Sequence, residues 1–381
     1  MRRPAALLVV VLSAFPVGCA TSQSASKPAP PPPAQPAPPK EPVKLEPIKV
    51  VAKTDTPDAL SVYDAETLFN RGIEFLDGRQ YVEARQYFQK LLDEFPDSSY
   101  VNAAHYNLGV ALMESGDPTS ALPHFDAFLA NAKTDQDRRD ATFKRGACLA
   151  MLGRYQEVVD TFDTMLGEEL ETEDRIEALV DSGIGWFMLG DRATAEYRFA
   201  EAVKLRKAAE QDARLENDYH HAQALFYLAE ILRLEFTEYK LKMPANGNEK
   251  EMADQLEEKC QRLLRAQYAF LKVIRTGHAG WASAAGFKVG SLYEDLHDEM
   301  VNLPVPPDMD AEQADIYRRE LRKKVAVLVR KAMGIYESTV NMARRTGADN
   351  VWVTRTEQSL ERMKQLLKDV DDMEREDGQA S

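Results

Sequence analysis

Six histidines and a scatter of carboxylates are the side chains able to carry acid, base or metal chemistry in this 381-residue chain. The histidines are His105, His124, His220, His221, His278 and His297, and no two stand four apart as paired ligands on one helix face would. His220 and His221 adjoin, but neighbouring positions on a helix diverge by about 100°, so they would not share a ligand. Glu294, Asp295, His297, Asp298 and Glu299 are dense enough for a cation site, and a solvated helix face explains them better. There is no HExxH, GxxxxGK[ST], GxSxG or clustered CxxC. Of the three cysteines, Cys148 and Cys260 fall in apolar helical patterns and read as structural thiols. These observations predict a protein that is not an enzyme, with no metal, no cofactor and no small-molecule substrate.

Charge narrows the partners. Acidic residues outnumber basic ones by 62 to 48, a formal net charge of −14, so phosphate backbones repel the chain and nucleic acid is excluded. One basic run, Arg318-Arg319, Arg322-Lys323-Lys324 and Arg330-Lys331, interrupts this balance and reads either as a solvated helix face pairing with the acidic stretch from Asp369 to Asp377 or as a contact for anionic lipid head groups or an acidic partner.

The remaining cysteine, Cys19, closes a different kind of segment. Arg2-Arg3 precede an apolar run from Ala5 to Leu12 and then small residues up to Gly18. The run is far below the ~20 apolar residues needed to span a bilayer, so residues 1–18 read as a signal peptide. Val17-Gly18-Cys19 resembles the lipobox of bacterial lipoproteins, although Pro16 stands where leucine is usual. The resemblance implies that Cys19 is acylated and anchors the chain permanently in a membrane, since each buried methylene contributes about 0.8 kcal/mol. Ala20, in place of an aspartate, implies by the same resemblance an outer-membrane anchor with the protein facing the periplasm.

Ten of the 20 prolines lie between Pro28 and Pro47. Residues 19–58 are therefore expected to be a disordered stalk with neither helix nor sheet, about 40 residues able to reach on the order of 100 Å.

The elements beyond the stalk announce themselves by repetition. Gly72, Gly109, Gly146 and Gly183 recur every 37 residues; Ala84, Ala121, Val158 and Ala195 follow twelve residues later, and Phe88, Phe125, Phe162 and Phe199 four after those. Each copy shows two apolar stripes at helical spacing around a turn: Asp77-Gly78-Arg79, Gly116-Asp117-Pro118, Gly153-Arg154 and Gly190-Asp191. Small residues let the paired helices approach, and the phenylalanine is expected to fill the space between one hairpin and the next. Residues 59–205 thus read as four hairpins and 206–373 as further, degenerate ones. Helices are expected near Leu256–Ile274, Ala282–Met300, Ala311–Arg345 and Thr354–Met373, ahead of an acidic tail at 374–381.

These columns resemble the tetratricopeptide repeat (TPR), whose period is 34. The three extra residues are expected to lengthen the links between hairpins, as at Thr134-Asp135-Gln136-Asp137. The resemblance implies an all-α, right-handed solenoid. Phe95-Pro96-Asp97-Ser98-Ser99-Tyr100 and its surroundings are similar to BamD-type and YbgF-type envelope lipoproteins, and the later Pro306-Pro307, Tyr317, Tyr336 and Trp352 pattern is faintly similar to myxobacterial gliding-motility repeat lipoproteins. In such stacks the first helices line a concave wall. Here that wall would carry Phe69, Asn70 and Ile73; Tyr106, Asn107 and Val110; Phe143, Lys144 and Ala147; and Val180, Asp181, Ile184 and Phe187. An aromatic ladder beside amides and charges suits an extended or helical peptide, with Asn70 and Asn107 bonding its backbone. The lysines and arginines of the family's carboxylate clamp are not reproduced. The expected function is a scaffold for envelope proteins in a trans-envelope machine for assembly, secretion or gliding motility; the alternative is a cell-wall protein binding peptidoglycan or its remodelling enzymes.

Overall fold

A computed structural model of the chain describes residues 47–52, 60–212, 219–244, 248–306 and 309–380. The segment expected to be a leader, Cys19 and most of the proline-rich segment lie outside the described residues. What is described is a stack of helical hairpins entered through two short strands. The hairpins are α1 (Ala65–Asp77) with α2 (Tyr81–Glu94), α3 (Val101–Glu114) with α4 (Pro118–Ala130), α5 (Asp135–Met151) with α6 (Tyr155–Leu166), and α7 (Thr172–Leu189) with α8 (Arg192–Asp212). They continue through α9 (Tyr219–Glu238) with α10 (Glu249–Arg275) and α11 (Ala279–Val301) with α12 (Ala311–Thr346), closed by α13 (Val351–Ala380). No helix among the described residues is long and apolar enough to cross a membrane.

The glycine and phenylalanine columns have one physical cause. A methyl group on Gly72 would sit 2.5 Å from the Phe88 ring, one on Gly109 2.9 Å from Phe125, and one on Gly183 2.7 Å from Phe199; Gly146 stands in the same relation to Phe162. Each ring, wholly or almost wholly buried, lies across the bare glycine of its own hairpin's first helix. The phenylalanine therefore locks the two helices of one hairpin together, rather than filling the gap between hairpins as the spacing suggested. The lock recurs where the period is lost: Gly290 of α11 faces Tyr336 of α12, and Gly286 faces Thr339.

The extra residues of the period lie elsewhere than expected. Asp135 and Thr172 begin α5 and α7, capped in the first case by the Thr134 hydroxyl, which accepts from the Asp137 amide. They extend the first helices to 17 and 18 residues, against 13 and 14 in α1 and α3. Links between hairpins stay short because a capped helix satisfies its own backbone, whereas added loop would not.

A fourth column sits in the turns. Gly116, Gly153 and Gly190 adopt left-handed backbone with φ of 84°, 70° and 90°. In the first copy the equivalent residue is Arg79, the only described non-glycine with positive φ, at 56°. A left-handed L-residue costs about 1–2 kcal/mol. Arg79→Gly should therefore stabilise the protein by about 1 kcal/mol, net of the added freedom of glycine in the unfolded chain. Urea denaturation checks this, and an unchanged or lowered midpoint would contradict it.

The stalk is not structureless to residue 58. Ile48–Ala52 forms β1 and pairs antiparallel with β2, Leu60–Asp64, in the register Lys49 to Tyr63. The branched residues Val50 and Val51 supply the strand propensity that the proline count obscured. Tyr63 donates to Glu94 at 2.7 Å and Lys49 pairs with Glu94 at 3.2 Å, which fixes the strands on the end of α2. Asp64 then caps α1 by accepting from the Thr67 amide. At the other end, the segment expected as an acidic tail continues α13 to Ala380.

Candidate functional site

Helices α3, α5 and α7, joined by the start of α9, enclose a concave pocket of about 530 Å³. Tyr106, Phe143, Lys144, Ala147, Asp181 and Ile184 of the predicted wall all line it. Residues 37 apart occupy equivalent faces of successive first helices, so stacking brings their columns together. The remaining wall residues are not gathered there. Phe69 is half-buried against Phe88 and Tyr100, at ring-centroid distances of 5.8 and 5.2 Å. Ile73 and Val110 pack against the core formed by the first hairpins, Val180 is fully buried, and Phe187 sits edge-on to Tyr227 at 5.4 Å. The expected pair of amides does not form: Asn107 donates to Ala103 of its own helix at 2.9 Å, and Asn70 is exposed outside the pocket.

The pocket also holds groups the columns did not single out. Asp140, Asp174 and Glu177 stand on α5 and α7, and Tyr219, His220, Gln223 and Tyr227 on α9. Two of the carboxylates were legible: Asp140 and Glu177 are themselves 37 apart, and each lies one turn before Lys144 and Asp181 on the same face. The α9 residues were hidden because the long α8 and the following segment break the period.

The charges are unbalanced. Arg139 pairs with Asp174 at 2.8 Å, and His220 Nε2 lies 3.6 Å from Glu177, beyond hydrogen-bonding distance. Asp181, on the pocket floor, has no hydrogen bond or ion pair among the described residues. Gln223 directs a buried Oε1 without a donor. Desolvation, with the charge of neighbouring Asp174, raises Glu177 to about 7. Desolvation and the proximity of Glu177 raise Asp181 to about 8. Burial lowers His220 to about 4. Groups with perturbed proton affinity in a concave site make it a candidate binding surface.

The linkage has a definite sign. Both carboxyls bind their proton more tightly folded than unfolded, so they favour the fold at low pH and that contribution is lost as pH rises through about 7 to 8. His220, lowered, acts only below the ordinary imidazole range. Between pH 6.5 and 8.5 the protein should lose about 1–2 kcal/mol of stability, after discounting for the part of each carboxyl open to water. Asp181→Asn should flatten that slope. Denaturation at the two pH values measures it, and an equal slope in the variant would refute the assignment.

Other candidate clusters resolve into structure. Glu294 and His297 are buried rather than solvated; Glu294 accepts from Tyr336 at 2.5 Å and pairs with Arg362 of α13, while His297 contacts Asp298 at 2.9 Å. No group of three metal-ligating side chains occurs among the described residues. His105 and His124, far apart in sequence, meet across α3 and α4 with their Nδ1 atoms 3.0 Å apart. In the basic run, Arg318 pairs with Asp315 at 3.2 Å and Lys323 with Glu320 at 2.8 Å, each within α12. Cys148 is fully buried and its thiol is pushed up to about 11, which leaves it inert at neutral pH. Cys260 is half-buried, less enclosed than expected.

Residues 69–135 and 106–168 match the tetratricopeptide repeat family model. Among solved structures, a tetratricopeptide repeat protein from Parabacteroides merdae is 16% identical, with 80% of this chain and 97% of that one covered at a TM-score of 0.37. The apo form of RapI is 9% identical, covering 83% and 99% at 0.45. The C-terminal part of a TPR repeat-containing protein from Cytophaga hutchinsonii is 10% identical, covering 80% and 98% at 0.43. No curated protein matches the chain.

Proposed function

We propose that this chain is a non-catalytic scaffold that holds a polypeptide segment of an envelope protein in the concave pocket between α3, α5, α7 and α9, and that it does so from a lipid anchor at Cys19. The observation that carries the reading is the convergence of Tyr106, Phe143, Lys144, Asp181 and Ile184 on one pocket. Tetratricopeptide repeats mediate protein–protein contacts through such surfaces. Half-buried aromatic rings supply apolar area with little entropy to lose, and the polar groups between them supply register. Among the described residues no group of three metal-ligating side chains occurs, and the sequence holds none of the HExxH, GxxxxGK[ST] or GxSxG motifs. The anchor and its outer-membrane, periplasm-facing placement rest on Val17-Gly18-Cys19 and Ala20, and the similarity to BamD-type, YbgF-type and gliding-motility lipoproteins favours a role in a trans-envelope machine.

Ala147 lines the pocket and is exposed, so it is the position at which to test the reading. A photo-crosslinking amino acid at Ala147 should capture a discrete partner in native membranes, and Ala147→Trp should abolish co-purification of that partner while leaving helical circular dichroism unchanged. Capture of the same partner from the exposed Gln156 on α6, but not from Ala147, would move the binding surface out of the pocket. Cys19→Ser should release the protein to the soluble fraction. Sedimentation of the purified protein with peptidoglycan would instead favour a cell-wall role.

A further inference from the structure

We propose that the pocket is built for a basic side chain: a lysine or arginine of the bound polypeptide seats its cationic head between Glu177, Asp181 and the Gln223 carbonyl oxygen, with its aliphatic stem against the Tyr106 and Phe143 rings. The inference rests on the reading of the pocket as the partner-binding surface and adds what that surface selects.

Three observations converge on a missing cation. Asp181 is unpartnered, and Glu177 has a ring nitrogen at 3.6 Å and feels Lys144 only at longer range, so two carboxyls on successive turns of α7 face the cavity with no lysine or arginine paired to either among the described residues. Gln223 Oε1, contributed by a different helix, is buried without a donor. An orphaned acceptor calls for N–H groups, which excludes a carboxylate tail and fits ammonium or guanidinium. Lastly, Arg139 is engaged by Asp174 at 2.8 Å, so the other three carboxyls of the lining, Asp140, Glu177 and Asp181, share a single lysine, Lys144. A divalent cation fits less well, because no three ligating side chains converge among the described residues. Aromatic faces around a cationic stem add further attraction.

The proton balance gives a signature. Carboxyls held partly protonated near neutrality must ionise to pair with a cation, so binding expels a proton and strengthens as pH rises. The other titratable or charged groups facing the pair are Tyr106 on α3, Asp140 and Lys144 on α5, Asp174 on α7, and Tyr219, His220 and Tyr227 on α9. Desolvation holds His220 at about 4 and raises Tyr219 above its ordinary value, so neither titrates between pH 6 and 8.5.

The test uses the intact chain without its leader and pools of fluorescent decapeptides, random except for one central residue fixed as lysine, arginine, norleucine or glutamate. Fluorescence anisotropy should show the lysine and arginine pools binding at least ~10-fold tighter than the norleucine and glutamate pools, with affinity rising about 10-fold from pH 6 to pH 8.5. Calorimetry in buffers of different ionisation enthalpy should record proton release. The isosteric double variant Glu177→Gln/Asp181→Asn should lose both the preference and the pH dependence. It removes unpaired charge, so it is expected to fold at least as well as the parent. Binding blocked by Ala147→Trp but equal for all four pools would overturn the charge selection and leave the pocket reading standing. Binding that persists in Ala147→Trp, or no binding by any pool, would overturn both.

Discussion

Phe125→Ala should cost about 3–5 kcal/mol of stability, the range for deleting a fully buried aromatic ring whose surroundings cannot collapse. The ring is wholly excluded from solvent, lies across Gly109, and meets Tyr106 edge-on at 6.0 Å. The helix carrying Gly109 is held by its neighbours on both sides, so it cannot move in to fill the space. The second hairpin also lies between two others in a stack whose stability is a sum of units and nearest-neighbour interfaces, so its loss uncouples the first hairpin from the third. Denaturation followed at 222 nm should show a lowered midpoint and a broadened or split transition. The pairing itself is separable from the burial. Gly109→Ala alone forces a methyl group into the Phe125 ring and should cost about 1–3 kcal/mol. In a Phe125→Leu background the same methyl has room and should cost measurably less. If the two effects simply add, the glycine and the ring are not coupled and the column has another cause. Tyr197→Ala, at a 59% exposed side chain, is the control and should change stability by about 0.5 kcal/mol at most.

The case shows why the hairpins were readable from the sequence. A small residue and a large ring that must meet sixteen positions apart leave a fixed signature in every copy, and the copies reinforce one another. What the columns could not reveal is which surfaces the two residues share, because a period gives spacing without direction; hence the ring's true place inside its own hairpin. The same limit applies to the pocket. Tyr106, Phe143 and Asp181 were found because they recur, while Tyr219, His220 and Gln223 enter from a helix whose distance along the chain follows no period. Their approach is set by the length of α8, a quantity fixed by packing rather than by any local pattern. Asn107 turns back on its own helix for a local reason: its amide can share the carbonyl four residues earlier with the backbone. The β-strand at Ile48–Ala52 was masked by its proline-rich neighbours, although Ile48, Lys49 and Val50 alternate in sequence as a strand requires.

Beyond residue 205, where the period fails, a buried charge takes over the positioning. Lys259 of α10 has a side chain only 1% exposed, yet its ammonium donates to the Phe236 and Tyr239 carbonyls at 2.7 and 2.6 Å and pairs with Glu299 of α11 at 2.7 Å. Three acceptors match its three N–H donors, and the Phe236 ring lies 4.1 Å from the nitrogen. Glu299 in turn accepts from the Leu241 amide at 2.7 Å. One side chain thus caps the carboxyl end of α9, where cations are favoured, and ties that hairpin to the next. Lys259→Met preserves the stem and removes the charge, leaving Glu299 and two carbonyls without their donor. Breaking one half of a buried pair in this way should cost about 3–5 kcal/mol. Adding Glu299→Gln should recover part of that loss, since the amide keeps an acceptor for Leu241 and carries no unpaired charge. Lys259→Arg should not substitute, because the planar fork cannot direct three bonds into a space shaped for an ammonium. Thermal unfolding of the three variants decides the matter. If Lys259→Met melts within a degree or two of the parent, the charge is incidental, and the joint between the fifth and sixth hairpins rests on the apolar contacts of Phe226, Phe270 and Val289 alone.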